Sequence, residues 1–214
     1  MRIGVIGSGE VGGSLAKGLR RHGHEVMRGS REPAKLEAWQ AAEGKGVTLG
    51  DPVATARFGE LIVLAVKGTA AEEAVRGAGI DNLAGKVVLD TTNPIANSPP
   101  VNGVIPFFTG PNESLMERLQ KLAPKAHFVK AFSCVGSGLM IDPKLAGGPP
   151  TMFICGNDDA AKQTTSKLLE QVGWETLDLG KVEAARAIEP LCILWCIPGF
   201  LQNDWMHAFK MLRR

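Results

Sequence analysis

The chain has 214 residues, of which 44% are hydrophobic and 21% are charged, and its formal net charge is +2. This composition is typical of a globular protein with a single core and excludes a disordered chain. The small charge, without a long run of basic residues, gives no indication of a nucleic-acid partner.

Apolar runs of strand type alternate with helical segments along the chain. In chain order, strands are predicted at residues 2–6, 25–28, 47–48, 61–66, 86–90, 127–131, 152–155 and 176–178. Such alternation predicts an α/β fold of Rossmann type, a doubly wound and mainly parallel sheet with helices on both faces.

Two long loops and a C-terminal segment complete the predicted organisation. Residues 95–111 and 132–150 are rich in proline and glycine, and loops of this length are commonly functional. Residues 182–212 are predicted to be mostly helical, with an interruption near Pro198. We therefore expect a Rossmann-type domain over residues 1–180, whose ligand is considered below, and a small helical extension over residues 181–214 that is not an independent domain.

Apolar stretches and cysteines indicate the compartment. The longest apolar stretch, residues 191–201, contains a proline and is shorter than a transmembrane helix. Because the sequence opens on a predicted strand, we expect no signal peptide, no membrane partner and a cytoplasmic location.

Four cysteines lack the spacing of a metal site, so we expect buried thiols and no metal: Cys134, Cys155, Cys192 and Cys196.

Three glycines follow the first strand with G-x-G-x-x-G spacing. Gly7 permits a tight turn, Gly9 lets a pyrophosphate approach the backbone, and Gly12 lets the following helix pack against the strand. Free N–H groups and the positive dipole end at the start of that helix attract phosphate. The predicted phosphate-binding residues are Gly7, Ser8, Gly9, Glu10, Val11 and Gly12.

The residues after the second strand distinguish NAD from NADP. An NAD site usually has Asp or Glu about 20 residues after the glycines, where it binds the ribose 2′-hydroxyl. This sequence has Arg28, Ser30 and Arg31 instead. A hydroxyl and two guanidinium groups suit the 2′-phosphate of NADP(H). The alternative is a structural glycine turn beside solvated arginines, but the flanking strands favour NADP(H).

Ligands of parallel sheets bind at the carboxyl ends of the strands. Three further strand ends should therefore border the nicotinamide and the hydride acceptor. The predicted cofactor contacts are Ala65, Val66, Lys67, Thr92, Asn93 and Pro94, of which Thr92 and Asn93 could bind the carboxamide. The predicted acceptor contacts are Lys130, Ala131, Phe132 and Ser133. The alternatives are that residues 91–94 form a structural turn only, and that Lys67 and Lys130 lie at the surface without binding a ligand.

A reductase that forms an alcohol requires a proton donor beside the carbonyl, usually His, Lys or Tyr. The sequence has no tyrosine, and none of its four histidines follows a selected strand. No catalytic residue is therefore assigned. This pattern fits direct hydride transfer between two conjugated rings, for which the protein sets stacking and distance.

Six motifs resemble those of the deazaflavin (coenzyme F-420)-dependent NADP oxidoreductases. The related NADP-binding cytosolic domain of six-transmembrane metalloreductases is similar as well. The motifs span nearly the whole chain: GSGEVGGSLAKGL, GSR, TTNP, VKAFSCVG, FICGNDDAAK and ARAIEPL.

The resemblance implies hydride transfer between NADP(H) and a flavin-like ring, with coenzyme F-420, FMN or FAD as second substrate. It places the phosphates on residues 8–12 and the 2′-phosphate near Ser30 and Arg31. It also implies a one-domain fold with a small helical extension and a homodimer formed through the last helices. The rings would lie near Thr92, Asn93, Ala131 and Phe132.

Two other functions remain open at this point. One is an NADPH-dependent reductase of a small carbonyl or imine compound, in which Lys181 would be the residue to test. The other is an NADP(H)-binding sensor, or an electron-feeding module for a partner protein that docks on the apolar segment 191–201.

Overall fold

The computed structural model describes residues 1–212. Eight strands form within this range: β1 (Arg2–Ile6), β2 (Glu25–Gly29), β3 (Thr48–Gly50), β4 (Leu61–Leu64), β5 (Val87–Asp90), β6 (His127–Lys130), β7 (Thr151–Ile154) and β8 (Glu175–Asp178). The α-helices are α1 (Glu10–Arg21), α2 (Glu37–Ala42), α3 (Pro52–Phe58), α4 (Ala71–Ala78), α5 (Ile80–Leu83), α6 (Leu115–Leu122), α7 (Asp159–Gln171), α8 (Ala185–Ile188) and α9 (Leu191–Gln202).

The main sheet has six parallel strands in the order β3-β2-β1-β4-β5-β6. This order reverses between β1 and β4, the point at which doubly wound sheets bind dinucleotides. A second sheet of β7 and β8 joins the first where Lys130 forms an antiparallel bridge with Cys155. The predicted Rossmann-type fold is confirmed.

Helices cover both faces of the main sheet, so its central strands are apolar on both sides. In β4, Ile62 and Leu64 point into one core cluster, which also contains Leu115 and Leu119 of α6. The alternate residues of β4 point into the opposite cluster, beside Leu15 and Leu19 of α1. Successive side chains of a strand face opposite sides, which explains this division.

The C-terminal segment differs from its prediction in two ways. Helix α9 continues through Pro198 to Gln202, and residues 203–212 have no regular structure. Proline in a helix costs about 3 kcal/mol, but Trp195 and Gly199 beside it are buried against the core. Asn203, with φ of 55°, ends the helix in a left-handed conformation.

By length and composition alone, the helical run Val182–Gln202 could cross a membrane, since it has 21 residues and a mean hydropathy of 1.4. The run exceeds the apolar stretch 191–201 because it also includes residues 182–190, which were predicted to be helical. Within this run the carboxylate of Glu189 is 2% exposed and forms an ion pair with Lys130. Arg186 binds Glu117 at 2.6 Å. These contacts attach the run to the protein core.

The start of α6 carries a capping box in which Ser114 and Glu117 bind each other's backbone N–H groups. Glu117 also accepts two hydrogen bonds from Arg186 of α8, at 3.0 and 2.6 Å. The bonds from Arg186, followed by those from Ser114, lower the pKa of Glu117 from 4.5 to about 2 despite its burial. The carboxylate therefore links the helical extension to the Rossmann core.

We expect Glu117→Gln to lower the free energy of unfolding by about 2 kcal/mol at neutral pH, because a charge-assisted bond is lost. The wild-type advantage is complete above pH 4.5 and disappears as the pH falls towards 2, since the folded carboxylate has the lower pKa. Urea unfolding of both proteins between these pH values tests this. A constant difference across the range would contradict it.

Candidate cofactor site

The glycine turn lies between β1 and α1, at the switch point of the sheet. A Cβ atom on Gly7 would lie 2.0 Å from the carbonyl oxygen of Ala65, and one on Gly12 would lie 2.5 Å from that of Gly7. A Cβ atom on Gly9 would meet no atom within 4 Å. Two glycines therefore permit close packing, whereas Gly9 borders open space that a ligand could enter.

Helix α1 begins at this turn without a side-chain cap, because its N-cap residue is Gly9. Uncapped N–H groups in a first helical turn attract an anion. Glu10 lies in the same turn, and its carboxylate accepts a hydrogen bond from Ser137 Oγ at 2.5 Å. The turn thus fits the pyrophosphate of a dinucleotide.

Arg28 does not lie at the surface, where a 2′-phosphate contact would require it. Its side chain is buried, and it donates to the carbonyl oxygens of Gly7 at 3.1 Å and Gly9 at 2.7 Å. Its guanidinium carbon also lies 4.1 Å from the ring centre of Trp39. Arg28 therefore fixes the glycine turn from below, which corrects its predicted role.

Ser30 and Arg31 follow β2 at the open edge of the site. Arg31 is 80% exposed and forms an ion pair with Glu73 of α4 at 3.2 Å. The Ser30 hydroxyl accepts a hydrogen bond from the N–H group of Glu32. An exposed guanidinium beside a hydroxyl can bind a phosphate, so these two positions fit their predicted role geometrically.

Backbone hydrogen bonds connect the carboxyl ends of the central strands. Ala65 N–H donates to Ile6, and Thr91 N–H donates to Leu64. Ala65 is buried, Val66 is half-buried and Lys67 is exposed. A Cβ atom on the next residue, Gly68, would lie 1.9 Å from the Asn93 carbonyl oxygen. The predicted loops after β4 and β5 therefore pack directly against each other.

Asn93 and Ser133 join the loops after β5 and β6. Asn93 Nδ2 donates to the Ser133 carbonyl oxygen at 2.7 Å. Within residues 1–212, Asn93 Oδ1 and Ser133 Oγ are buried atoms without a hydrogen-bond partner. An unpaired buried polar atom costs about 1–3 kcal/mol, and a ligand's amide group would relieve that cost.

Thr92 was predicted to bind the carboxamide, but its side chain points elsewhere. Its hydroxyl donates to Asp90 Oδ1 at 2.7 Å, and the residue is 1% exposed. Pro94, which follows Asn93, is also buried. Of the loop after β5, Asn93 is the half-buried position with an unpaired polar atom.

The structure also corrects the prediction that Lys130 contacts the acceptor. The side chain is 0% exposed and pairs with Asp90 at 2.6 Å and Glu189 at 2.9 Å. Burial alone would lower the pKa of Lys130, but these two carboxylates raise it above its ordinary value. The lysine therefore stays charged inside the core, and its contact with the C-terminal extension is the ion pair with Glu189.

Ala131 and Phe132 are buried as well, which leaves little surface for an acceptor. Phe132 has a φ of 57°, a rare conformation for a bulky residue. Its ring packs edge-on against Trp174, with 6.1 Å between the ring centres. Ser133 is buried too, but unlike these two it carries a side-chain polar atom, Oγ, that has no hydrogen-bond partner among the described residues.

Sequence reasoning missed Trp39, Asp90 and Glu189. Trp39 packs against Arg28 beneath the glycine turn, and the two carboxylates bind Lys130. Asp90 ends an apolar strand, and Glu189 interrupts an apolar helical segment. A charged residue in such surroundings must find a partner when it is buried. That rule would have identified the two carboxylates, although not the lysine between them.

The four cysteines are free and buried, as predicted. Burial raises the pKa values of Cys134 and Cys155 to about 12. Both thiols are therefore protonated near neutral pH. Within residues 1–212, no group of three or more metal-binding side chains occurs.

Comparison with known proteins identifies the family of this chain. The family described as "NADP oxidoreductase coenzyme F420-dependent" matches residues 2–94. A solved structure from Arthrobacter sp. FB24, designated an F420-dependent NADP reductase, is 33% identical. That match covers 100% of both chains, with a TM-score of 0.92.

The metalloreductases are similar over most of this chain but are much longer. Rat metalloreductase STEAP3 is 30% identical over 205 residues, which is 94% of this chain and 39% of the relative. Human metalloreductase STEAP2 is 31% identical over 88% of this chain and 35% of its own length. The chain thus spans less than half of these relatives.

An imine reductase from Myxococcus stipitatus, solved with NADP⁺, has a TM-score of 0.68 at 18% identity. The match covers 95% of this chain and 63% of that one, and it supports the fold alone. The family expected from the sequence motifs is confirmed, and with it NADP(H) as the cofactor. This chain is an NADP-dependent oxidoreductase and belongs to the coenzyme F420-dependent NADP oxidoreductase family.

Proposed function

We propose that this protein transfers a hydride between NADP(H) and a flavin or deazaflavin of the coenzyme F-420 type. The proposed cofactor contacts are the glycine turn, Ser30 and Arg31 for the phosphates, and residues 65–67 with Asn93 for the nicotinamide end. Ser133 would border the acceptor. The designation of the Arthrobacter protein supports coenzyme F-420 as the acceptor.

The observation that carries the proposal is the pair of unpaired polar atoms on Asn93 and Ser133. They lie on two adjoining loops at the carboxyl edge of the sheet, joined by a bond of 2.7 Å. One is an amide oxygen, which accepts hydrogen bonds, and the other is a hydroxyl, which both donates and accepts. The pair matches the N–H and C=O groups of a carboxamide or of a flavin-like ring edge.

When bound, NADPH would supply a hydride from its nicotinamide ring, for uptake by the acceptor ring together with a proton from solvent. The protein's contribution is to hold two flat rings at reacting distance. The glycine turn and Arg31 would fix the phosphate end. The Asn93 side chain, held by the Ser133 carbonyl, would orient the other end. Lys130 is already paired with two carboxylates and is not assigned to proton transfer.

We expect Arg31→Ala to weaken NADPH binding about thirtyfold while NADH binding changes less than threefold, because a charge-assisted bond to the 2′-phosphate is lost. Fluorescence titration of both cofactors measures this. Glu73→Gln is the control, since it removes the present partner of Arg31 and should leave NADPH binding equal or tighter. Equal losses for the two cofactors in Arg31→Ala would contradict the phosphate assignment.

Anaerobic oxidation of NADPH, with coenzyme F-420, FMN and FAD supplied separately, tests the proposed function. We expect saturable turnover with at least one of them. No turnover with any flavin, but turnover with a ketone or imine that is lost in Lys181→Ala, would favour a carbonyl or imine reductase. NADPH binding without any turnover would favour a sensor or an electron-feeding module.

We also propose a cytoplasmic homodimer formed through the C-terminal helices. On α9, Leu194 is 54% exposed, Phe200 is 47% exposed and Leu201 is 60% exposed. Large apolar side chains in contiguous exposed patches often mark protein interfaces. Light scattering would distinguish a dimer from a monomer in which this face is left for another partner.

A further inference from the structure

Three charged side chains are buried together beneath the loop after β5. Lys130 Nζ lies 2.6 Å from Asp90 Oδ2 and 2.9 Å from Glu189 Oε1. Removing ions from water costs several kcal/mol for each ion, and apolar residues often stabilise a core equally well. A gain in stability is therefore not a sufficient reason for this cluster, and its role is inferred from the groups that it contacts.

The cluster binds every polar group of Thr92. Lys130 Nζ donates to the Thr92 carbonyl oxygen at 2.8 Å. Asp90 Oδ1 accepts from the Thr92 N–H group at 2.9 Å and from its hydroxyl at 2.7 Å. The backbone of Thr92 is thus fixed on both sides, and the next residue is Asn93.

Glu189 connects this arrangement to the C-terminal extension. Besides Lys130, its carboxylate accepts from the backbone N–H groups of Leu115 and Met116, both at 3.0 Å. These groups belong to the first turn of α6, where a negative charge is favourable. Glu189 is therefore held in place by the first turn of α6, and it holds Lys130 in turn.

We propose that Lys130 and Glu189 are positioning residues for the nicotinamide end of the cofactor. They act through Thr92, whose fixed backbone sets the place of the Asn93 amide, and they do not touch the cofactor. The proposal rests on the proposed function, because it requires the nicotinamide to lie at Asn93.

The test compares the binding of NADPH with that of 2′,5′-ADP, which keeps the 2′-phosphate but lacks the nicotinamide. Asp90→Asn combined with Lys130→Met removes the donor to Thr92 and leaves the cluster with its native net charge. We expect this double variant to bind NADPH about tenfold more weakly and 2′,5′-ADP unchanged. Glu189→Gln removes the charge of one of the two carboxylates that bind Lys130. It should raise the ratio of the NADPH dissociation constant to the 2′,5′-ADP dissociation constant about threefold.

Glu117→Gln is the matched control, because it changes the other carboxylate at the start of α6 without contact to Thr92. Its ratio of affinities should equal that of the wild type. If the double variant does not fold, the ratio of affinities measured for Glu189→Gln tests the proposal. An unchanged ratio in the folded variants would overturn the positioning role alone. Equal affinities of the wild type for the two ligands would instead refute the proposed nicotinamide site, and this inference with it.

Discussion

Gly9→Ala is expected to fold normally and to bind NADPH about a hundredfold more weakly. Gly9 has φ of −79° and ψ of −178°, an extended conformation that alanine also adopts. A Cβ atom there meets no atom of the protein within 4 Å, so the change in stability should stay within about 1 kcal/mol. The added methyl group instead occupies the space that the pyrophosphate enters, and a loss of about 3 kcal/mol corresponds to the expected factor.

Titration of NADPH, together with urea unfolding, measures both quantities in one preparation. Gly77→Ala is the matched control, because its Cβ atom would also meet open space but lies on α4. Alanine within a helix should raise stability by about 0.5–1 kcal/mol and leave NADPH binding unchanged. Native NADPH affinity in Gly9→Ala would show that the pyrophosphate lies elsewhere.

Lys130→Met should have the largest effect on stability, a loss of about 3–5 kcal/mol in the free energy of unfolding. The substitution keeps a long side chain but leaves Asp90 and Glu189 buried without their cation. Removal of one partner from a buried ion pair is costly because the remaining charge stays desolvated. The cluster has two such carboxylates, so the loss should lie at the upper end of this range.

Urea unfolding at neutral pH measures the loss. Lys17→Met is the control, since the pair of Lys17 with Glu43 spans 2.8 Å but is 40% and 55% exposed. Exposed pairs contribute less than about 1 kcal/mol. Losses of similar size in the two variants would mean that the buried cluster does not stabilise the fold through its charges.

The sequence predicted the positions at the strand ends better than the directions of their side chains. Glycine spacing was sufficient for the turn, because close approaches at Gly7 and Gly12 exclude any side chain. The prediction of an exposed Arg28 side chain was wrong, although the alternation of side chains along β2 indicated a buried position. Val26 and Arg28 lie on the same face of that strand, and Val26 is buried.

Other features could not be predicted from local patterns. Lys130 ends a strand that is buried on both faces, so no polar side exists from which its direction could be inferred. Its partner Glu189 comes from a distant helix, and only the tertiary fold brings the two together. Helix α9 continues past Pro198 for a similar reason, since packing outweighs the cost of the proline.

The segment 203–212 has a consequence for solubility during folding. Thr151, at the start of β7, donates its N–H group to Phe209 and binds the N–H group of Met211 through its hydroxyl. An uncovered strand edge is a template for pairing with other chains. These residues follow all eight strands in the sequence, so this edge of β7 stays open until the segment 203–212 has been synthesised and has packed against it. Until then, the open edge offers unpaired backbone groups to another copy of the chain.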